Sequence, residues 1–128
     1  MGKDQKRILI VEDDSIVSLG FCDLLINMGF SVTAIAISGE EAVRQAEENP
    51  PDCILMDIEL VGTMTGIEAA RLIRARNDIP VVFITAFGDK KHSGLDGITP
   101  PEGYAYLVKP VMPEELSRAI ESVLPGTQ

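Results

Sequence analysis

Acids close two of the short apolar runs in this chain. Glu12, Asp13 and Asp14 directly follow Arg7-Ile8-Leu9-Ile10-Val11, and Asp57 directly follows Cys53-Ile54-Leu55-Met56. Thr85 ends a third run, Pro80-Val81-Val82-Phe83-Ile84, and Lys109 ends a fourth, Tyr104 to Val108. Taken singly, each has an ordinary structural explanation: acids cap helices, threonine suits strands and lysine is usually solvated. Gathered in one place they would do chemistry. Two carboxylates about 4 Å apart repel by about 4 kcal/mol at an effective dielectric of 20, so such a cluster needs a counter-charge to stay ionised and compact. Hard oxygen donors, few in number and without His or Cys, suit Mg2+ with several retained waters, fall short of the ligand number of calcium and argue against zinc. A carboxylate beside that cation, with a hydroxyl and an ammonium opposite, is arranged to accept a phosphoryl group. Asp57 would be the nucleophile, while the cation and Lys109 neutralise the phosphoryl oxygens.

A parallel sheet would bring these residues together. The β-branched run 7–11 reads as a strand buried on both faces. Val17, Phe21, Leu24 and Met28 then recur at helical spacing, and Gly29 stops the pattern, which predicts a helix over about 15 to 28. Ser31 to Ile37 predicts a second strand, and Ser38 stands three residues before Glu41, a capping-box pattern for a helix to about Glu48. Asn49-Pro50-Pro51-Asp52 breaks the chain before the third strand. Gly62-Thr63-Met64-Thr65-Gly66 reads as a loop, followed by a helix that turns Ile67, Ala70 and Ile73 inward and ends near Arg76. The fourth strand follows. Between Lys90 and Gly103, Gly94, Gly97, Pro100 and Pro101 leave at most a short, irregular helix. After the fifth strand, Pro113 opens a last helix with Leu116, Ala119, Ile120, Val123 and Leu124 on one face. Five strands alternating with about five helices imply right-handed crossovers and an α/β doubly wound parallel sheet with helices on both faces. In such sheets ligands meet the loops beyond the carboxyl ends of the strands, where all these residues stand.

The chain has 128 residues, 45% of them apolar and 24% charged, which fits one globular domain and excludes a disordered or collagen-like chain. Eleven basic against twenty acidic residues give a net charge of −9, which repels nucleic acid and anionic lipid. No apolar run is long enough to cross a bilayer, and the acids at 12–14 interrupt any signal-peptide core, so a cytoplasmic protein without membrane or nucleic-acid contacts is expected. Cys22 and Cys53 lie in separate apolar segments without metal spacing and read as buried free thiols. His92 stands in a polar loop and is given no role. Asp14, directly before the first helix, reads as its cap rather than as a metal ligand.

In this order and approximate spacing, Ile8-Leu9-Ile10-Val11-Glu12-Asp13-Asp14, Ile54-Leu55-Met56-Asp57, Val81-Val82-Phe83-Ile84-Thr85-Ala86 and Tyr106-Leu107-Val108-Lys109-Pro110 resemble the receiver domain of bacterial and archaeal response regulators. The resemblance runs from about Lys6 to Leu124, a receiver domain over 6–124 with 125–128 left as a tail or trimmed linker. It implies a flavodoxin-like fold with strand order 2-1-3-4-5. It implies that Asp57 takes a phosphoryl group from a sensor histidine kinase or a phosphotransfer protein. Asp13 and Asp57 would bind Mg2+ directly, Glu12 mainly through water, and the main-chain carbonyl of Glu59 would complete the metal's protein ligands. Thr85 would hydrogen-bond one phosphoryl oxygen and Lys109 pair with another, with small Ala86 leaving room for access and the Lys109-Pro110 bond cis. On phosphorylation Thr85 would move toward the phosphate and Tyr106 turn inward, reshaping the face made by the family's fourth helix, fifth strand and fifth helix. Such a switch catalyses only its own phosphorylation and dephosphorylation and is not otherwise an enzyme.

Two segments depart from the common family pattern: the longer 62–66 loop, which matches a subset with Gly-x-Met-x-Gly-Ile-Glu, and the Gly- and Pro-interrupted segment 90–103. Glu59 and Phe87 sit where the family tunes phosphoryl lifetime. The output partner or domain, a homodimer, and the choice between a stand-alone regulator and an excised module stay open at this level. Two other functions share the fold or the nucleophile. A flavin-binding electron carrier would need a Ser/Thr/Gly-rich phosphate loop where Glu12-Asp13-Asp14 stands. A Mg2+-dependent phosphatase would need a second acid two residues beyond Asp57, where only Glu59 is available.

Overall fold

Each of the four runs that carry the candidate residues is a strand, and their carboxyl ends lie along one edge of a single sheet. The computed structural model describes residues 5–60, 62–86 and 103–125. Within them the order is β1 (Arg7–Val11), α1 (Ser15–Asn27), β2 (Ser31–Ala36), α2 (Gly39–Glu48), β3 (Cys53–Asp57), α3 (Gly66–Arg76), β4 (Val81–Thr85), β5 (Tyr104–Val108) and, last, Pro113–Val123, labelled α4. The five strands pair in parallel in the order β2-β1-β3-β4-β5, the expected doubly wound, flavodoxin-like arrangement. The 90–102 part of the segment read as irregular lies outside the described residues, as do Phe87 and His92.

Register levels the strand ends. Val11 is opposite Met56, Asp57 opposite Ile84 and Thr85 opposite Val108, so the residue after β1, the last residues of β3 and β4 and the residue after β5 fall in one row. The row is anchored by burial. Every residue of β3 and β4 is buried, and Ile8, Leu9, Ile10 and Val11 are at most 1% exposed. Burying one such aliphatic side chain is worth roughly 1.5–3 kcal/mol, so the strands whose ends carry the acids are firmly anchored. Alternate residues point to opposite faces. Leu9, Val11, Ile54, Met56, Val81 and Phe83 pack against α2 and α3, whereas Ile8, Ile10, Leu55, Val82 and Ile84 pack against α1 and α4.

Local chemistry sets the helix ends. The Asp14 side chain accepts from the Ile16 and Val17 N–H groups at 2.9 and 3.2 Å, which makes it the cap of α1. Gly29, with φ +96°, turns the chain after that helix, a conformation that favours glycine. Ser38 accepts from the Glu41 N–H at 3.1 Å as expected, but the Glu41 carboxylate returns to the Ile37 N–H, one residue before the cap. The complete capping box is at Thr65 and Glu68, which bond each other's backbone N–H at 3.1 and 3.0 Å.

The core-facing side of α1 includes Val17, Phe21, Leu24 and Met28 but centres as much on residues their spacing did not single out. Ser18, Phe21 and Leu25 are buried, while Val17, Leu24 and Met28 flank them and are only partly covered. Apolar residues surround this helix, with Ile16, Leu19 and Ile26 more than half exposed, so periodicity alone does not select the buried stripe.

Candidate functional site

The row of strand ends places Glu12 and Asp13 after β1, Asp57 at the end of β3, Thr85 at the end of β4 and Lys109 just after β5. Glu12, Asp57 and Thr85 are 2%, 4% and 1% exposed, whereas Asp13 and Lys109 are half-buried. Among the described residues, Glu12, Asp13 and Asp57 each offer a carboxylate oxygen, and these oxygens lie within 4.8 Å of one another. The Lys109 Nζ stands 3.5 Å from Glu12 Oε1 and 3.9 Å from Asp57 Oδ2. One ammonium thus faces two buried carboxylates, with a third acid beside them.

The local pKa values register that imbalance. Burial pushes Glu12 up from 4.5 to about 7, and the Asp57 charge adds to the rise. The Asp14 N–H, donating to Glu12 at 3.1 Å, and the Lys109 charge oppose it. Asp57 is also raised, mainly by burial, against the pull of Lys109 and of the Glu59 N–H, which donates to Asp57 Oδ1 at 3.0 Å. Without a cation the pair holds a proton near neutrality; with one, both can ionise. All three side chains offer oxygen, and the charge left uncompensated is negative, so the site fits a hard divalent cation.

Glu59 divides between backbone and side chain. Its carboxylate does not join the acidic set. Instead it accepts from the Thr85 hydroxyl, Oγ1 to Oε2 at 2.5 Å, and from the Ala86 N–H, N to Oε1 at 2.9 Å. The only metal role open to Glu59 in this arrangement is the main-chain one named from the sequence. The pairing with residues 26 and 27 positions away depends on loop geometry, and the only sequence signal for it was an acid two residues beyond Asp57.

The 62–66 loop is fixed by specific contacts. The Thr63 hydroxyl donates to Glu40 at 3.0 Å, and Met64 rests on the start of α2, where a Cβ on Gly39 would lie 2.9 Å from Met64 Cγ. Gly66 is pressed against the phosphoacceptor candidate itself, since a Cβ there would collide with the Asp57 carbonyl oxygen. Sequence reasoning marked Gly66 as a loop residue and missed this contact.

On the far side, the Lys109 N–H donates to the Thr85 carbonyl at 2.8 Å, and the Lys109-Pro110 bond is cis. Tyr106 lies on β5, packs against the α2/α3 side of the core, and has its hydroxyl oxygen buried. Cys53 is buried, and that burial raises its thiol to about 12, so it is inert at neutral pH; Cys22 is a half-buried free thiol.

Residues 8–121 match the response regulator receiver domain. The chain belongs to this family. Among characterised relatives, it is 33% identical over 116 residues to the transcriptional regulatory protein PdtaR of Mycobacterium tuberculosis, covering 91% of this chain and 55% of that one. The receiver domain therefore spans about half the length of such curated relatives. Solved receivers superpose closely. The signal receiver domain of a modulated diguanylate cyclase from Desulfovibrio desulfuricans gives a TM-score of 0.79 at 33% identity, with 94% of each chain covered. The receiver domain of a sensor histidine kinase from Pseudomonas aeruginosa, solved with a magnesium ion in its active-site cleft, gives 0.77 at 32% identity, covering 94% and 98%. Among the described residues of this receiver domain, no helix is long and apolar enough to cross a membrane.

Proposed function

We propose that Asp57 is the phosphoacceptor of this receiver domain and that Mg2+ is its cofactor. The observation that carries this reading is the convergence of Glu12, Asp13 and Asp57 within 4.8 Å, with Lys109 Nζ 3.9 Å from Asp57. An Asp57 oxygen attacks the phosphorus of a phosphohistidine on a sensor histidine kinase or phosphotransfer protein. The P–N bond breaks, the imidazole keeps the electron pair and takes up a proton, and an acyl phosphate remains. Lys109 stabilises charge on the transferring oxygens, and the Thr85 hydroxyl donates to one of them. Glu12 and Asp13, with the Glu59 main-chain carbonyl, would hold the cation beside Asp57; when bound, it neutralises the carboxylates and the incoming phosphoryl oxygens.

Phosphorylation and dephosphorylation at Asp57 are the only chemistry assigned to the domain. It acts as a switch in the cytoplasm, read through Thr85 and Tyr106 toward an output partner or domain. The net charge of −9 argues against nucleic-acid contacts by this domain itself. Neither other function gains support: acids stand where a flavin phosphate would bind, and the Glu59 carboxylate of a phosphatase reading is held by Thr85 and Ala86.

Intact-mass measurement after incubation with acetyl phosphate and Mg2+ tests the proposal. A gain of about 80 Da, roughly one phosphoryl group, is expected in the wild type and not in Asp57→Asn. No gain, or a gain that survives the substitution, overturns it.

A further inference from the structure

The hydroxyl that a phosphoryl group would need is already engaged. Thr85 has one O–H proton and gives it to Glu59 Oε2 at 2.5 Å, and the neighbouring Ala86 N–H gives its own to Glu59 Oε1 at 2.9 Å. Both donors stand at the end of β4, next to Asp57, which pairs in register with Ile84. A carboxylate bridging two donors presents what a phosphoryl group presents: negative charge and two acceptor oxygens at hydrogen-bond distance. A donor proton serves one strong acceptor at a time, and two anions in one place repel.

We propose that the Glu59 carboxylate is a built-in occupant of the phosphoryl-oxygen position, holding the Thr85 hydroxyl and the Ala86 N–H until a phosphoryl group displaces it. The inference rests on Asp57 being the phosphoacceptor. Glu59 would then set the threshold for activation: while its carboxylate stays in place, Thr85 is kept in the resting arrangement, and phosphorylation has to break two hydrogen bonds to recruit it. No covalent step is added, because displacement only exchanges one anionic acceptor for another on the same two donors.

The test uses beryllofluoride, which mimics a phosphoryl group on a carboxylate, with Mg2+ and the intact chain. Its affinity is followed by fluorine NMR in wild type, Glu59→Ala and Glu59→Gln, alongside exchange of the Ala86 amide hydrogen without the anion. Removing the competitor should tighten beryllofluoride binding about tenfold in Glu59→Ala, the equivalent of one charge-assisted hydrogen bond. In the free protein the Ala86 amide should exchange faster than in wild type. Glu59→Gln, which keeps the shape but turns an amide donor toward one of the two donors, should also bind more tightly and decides the matter if the alanine variant folds poorly. A purely structural Glu59 predicts the reverse: weaker or unchanged binding in both variants. Equal or weaker binding with a normal wild-type response overturns the displacement idea and leaves Asp57 as acceptor. A wild type that takes up neither beryllofluoride nor phosphoryl from acetyl phosphate overturns both.

Discussion

Removing divalent cations and raising the pH should weaken this fold, and restoring Mg2+ should reverse most of the loss. The reason lies in Glu12. Its pKa stands at about 7 in the folded chain against an ordinary 4.5, a rise of 7 − 4.5 = 2.5. At about 1.36 kcal/mol per unit, the two protonation states differ by about 3 kcal/mol in their fit to the native site. A folded state that holds its proton more tightly than the unfolded chain has the full benefit below about pH 4.5, loses it as the pH rises and has none above about pH 7. The raised Asp57 acts in the same direction. A bound cation takes the proton's place against ionised carboxylates, so binding should release protons and flatten the profile. Urea unfolding followed by circular dichroism, from about pH 5 to pH 8, with chelator or with millimolar Mg2+, gives the four-way comparison. Glu12→Gln supplies the control. Without metal at the alkaline end it should be more stable than wild type by up to about 3 kcal/mol, although it removes a partner of Lys109. A metal-free stability that does not change with pH, or a slope in Glu12→Gln as steep as that of the wild type, would refute the electrostatic account, since Asp57 alone leaves only part of it.

Further expectations address packing around the site. Gly66→Ala drives a methyl into the Asp57 carbonyl, so it should cost about 1–3 kcal/mol in urea unfolding and slow acyl-phosphate formation measured by intact mass. Leu25→Ala, fully buried on α1, should cost about 2–5 kcal/mol, whereas Ile16→Ala, 81% exposed on the same helix, should stay within about 0.5 kcal/mol. The contrast in denaturation midpoints tests the orientation of α1. Thr65→Ala removes the cap of α3 and should lower stability by about 1 kcal/mol, with the faster amide exchange confined to the first turn.

The parts of this molecule that were legible in the sequence are those where a change of residue type coincides with a change of structure. Apolar runs that stop at Glu12 or at Asp57 mark strand ends directly, because an unpaired charge is costly inside a buried strand, and the run that stops at Thr85 ends on a polar hydroxyl. Once the strands are known to be parallel, their ends must share an edge, so the meeting of Glu12, Asp13, Asp57, Thr85 and Lys109 follows from topology. The Asp14 cap was readable for the same local reason. The buried stripe of α1 was not, since Ile16, Leu19 and Ile26 make its outer face as apolar as its inner one. Thr65 and Glu68 carry a capping-box spacing that is plain in the sequence, yet Thr65 lay inside the stretch read as loop and Glu68 in the helix after it, so the pair was not connected. The grip of Glu59 on Thr85 and Ala86 and the pressure of Gly66 on Asp57 depend on how the connection from β3 to α3 folds back on the strand ends, and no periodic pattern encodes that.

Exposure across the sheet also has a mechanical consequence. The acids belong to inner strands, β1 and β3, each flanked by neighbours on both sides and buried throughout or nearly so. Tyr106 belongs to β5 and Lys109 directly follows it, and among the described residues this strand is paired along one side only and is nowhere fully covered. Stiffness therefore falls from the centre of the molecule toward that margin. Both outer strands, β2 and β5, are largely half-buried, and of the two it is β5 that carries site residues, Tyr106 within it and Lys109 just beyond.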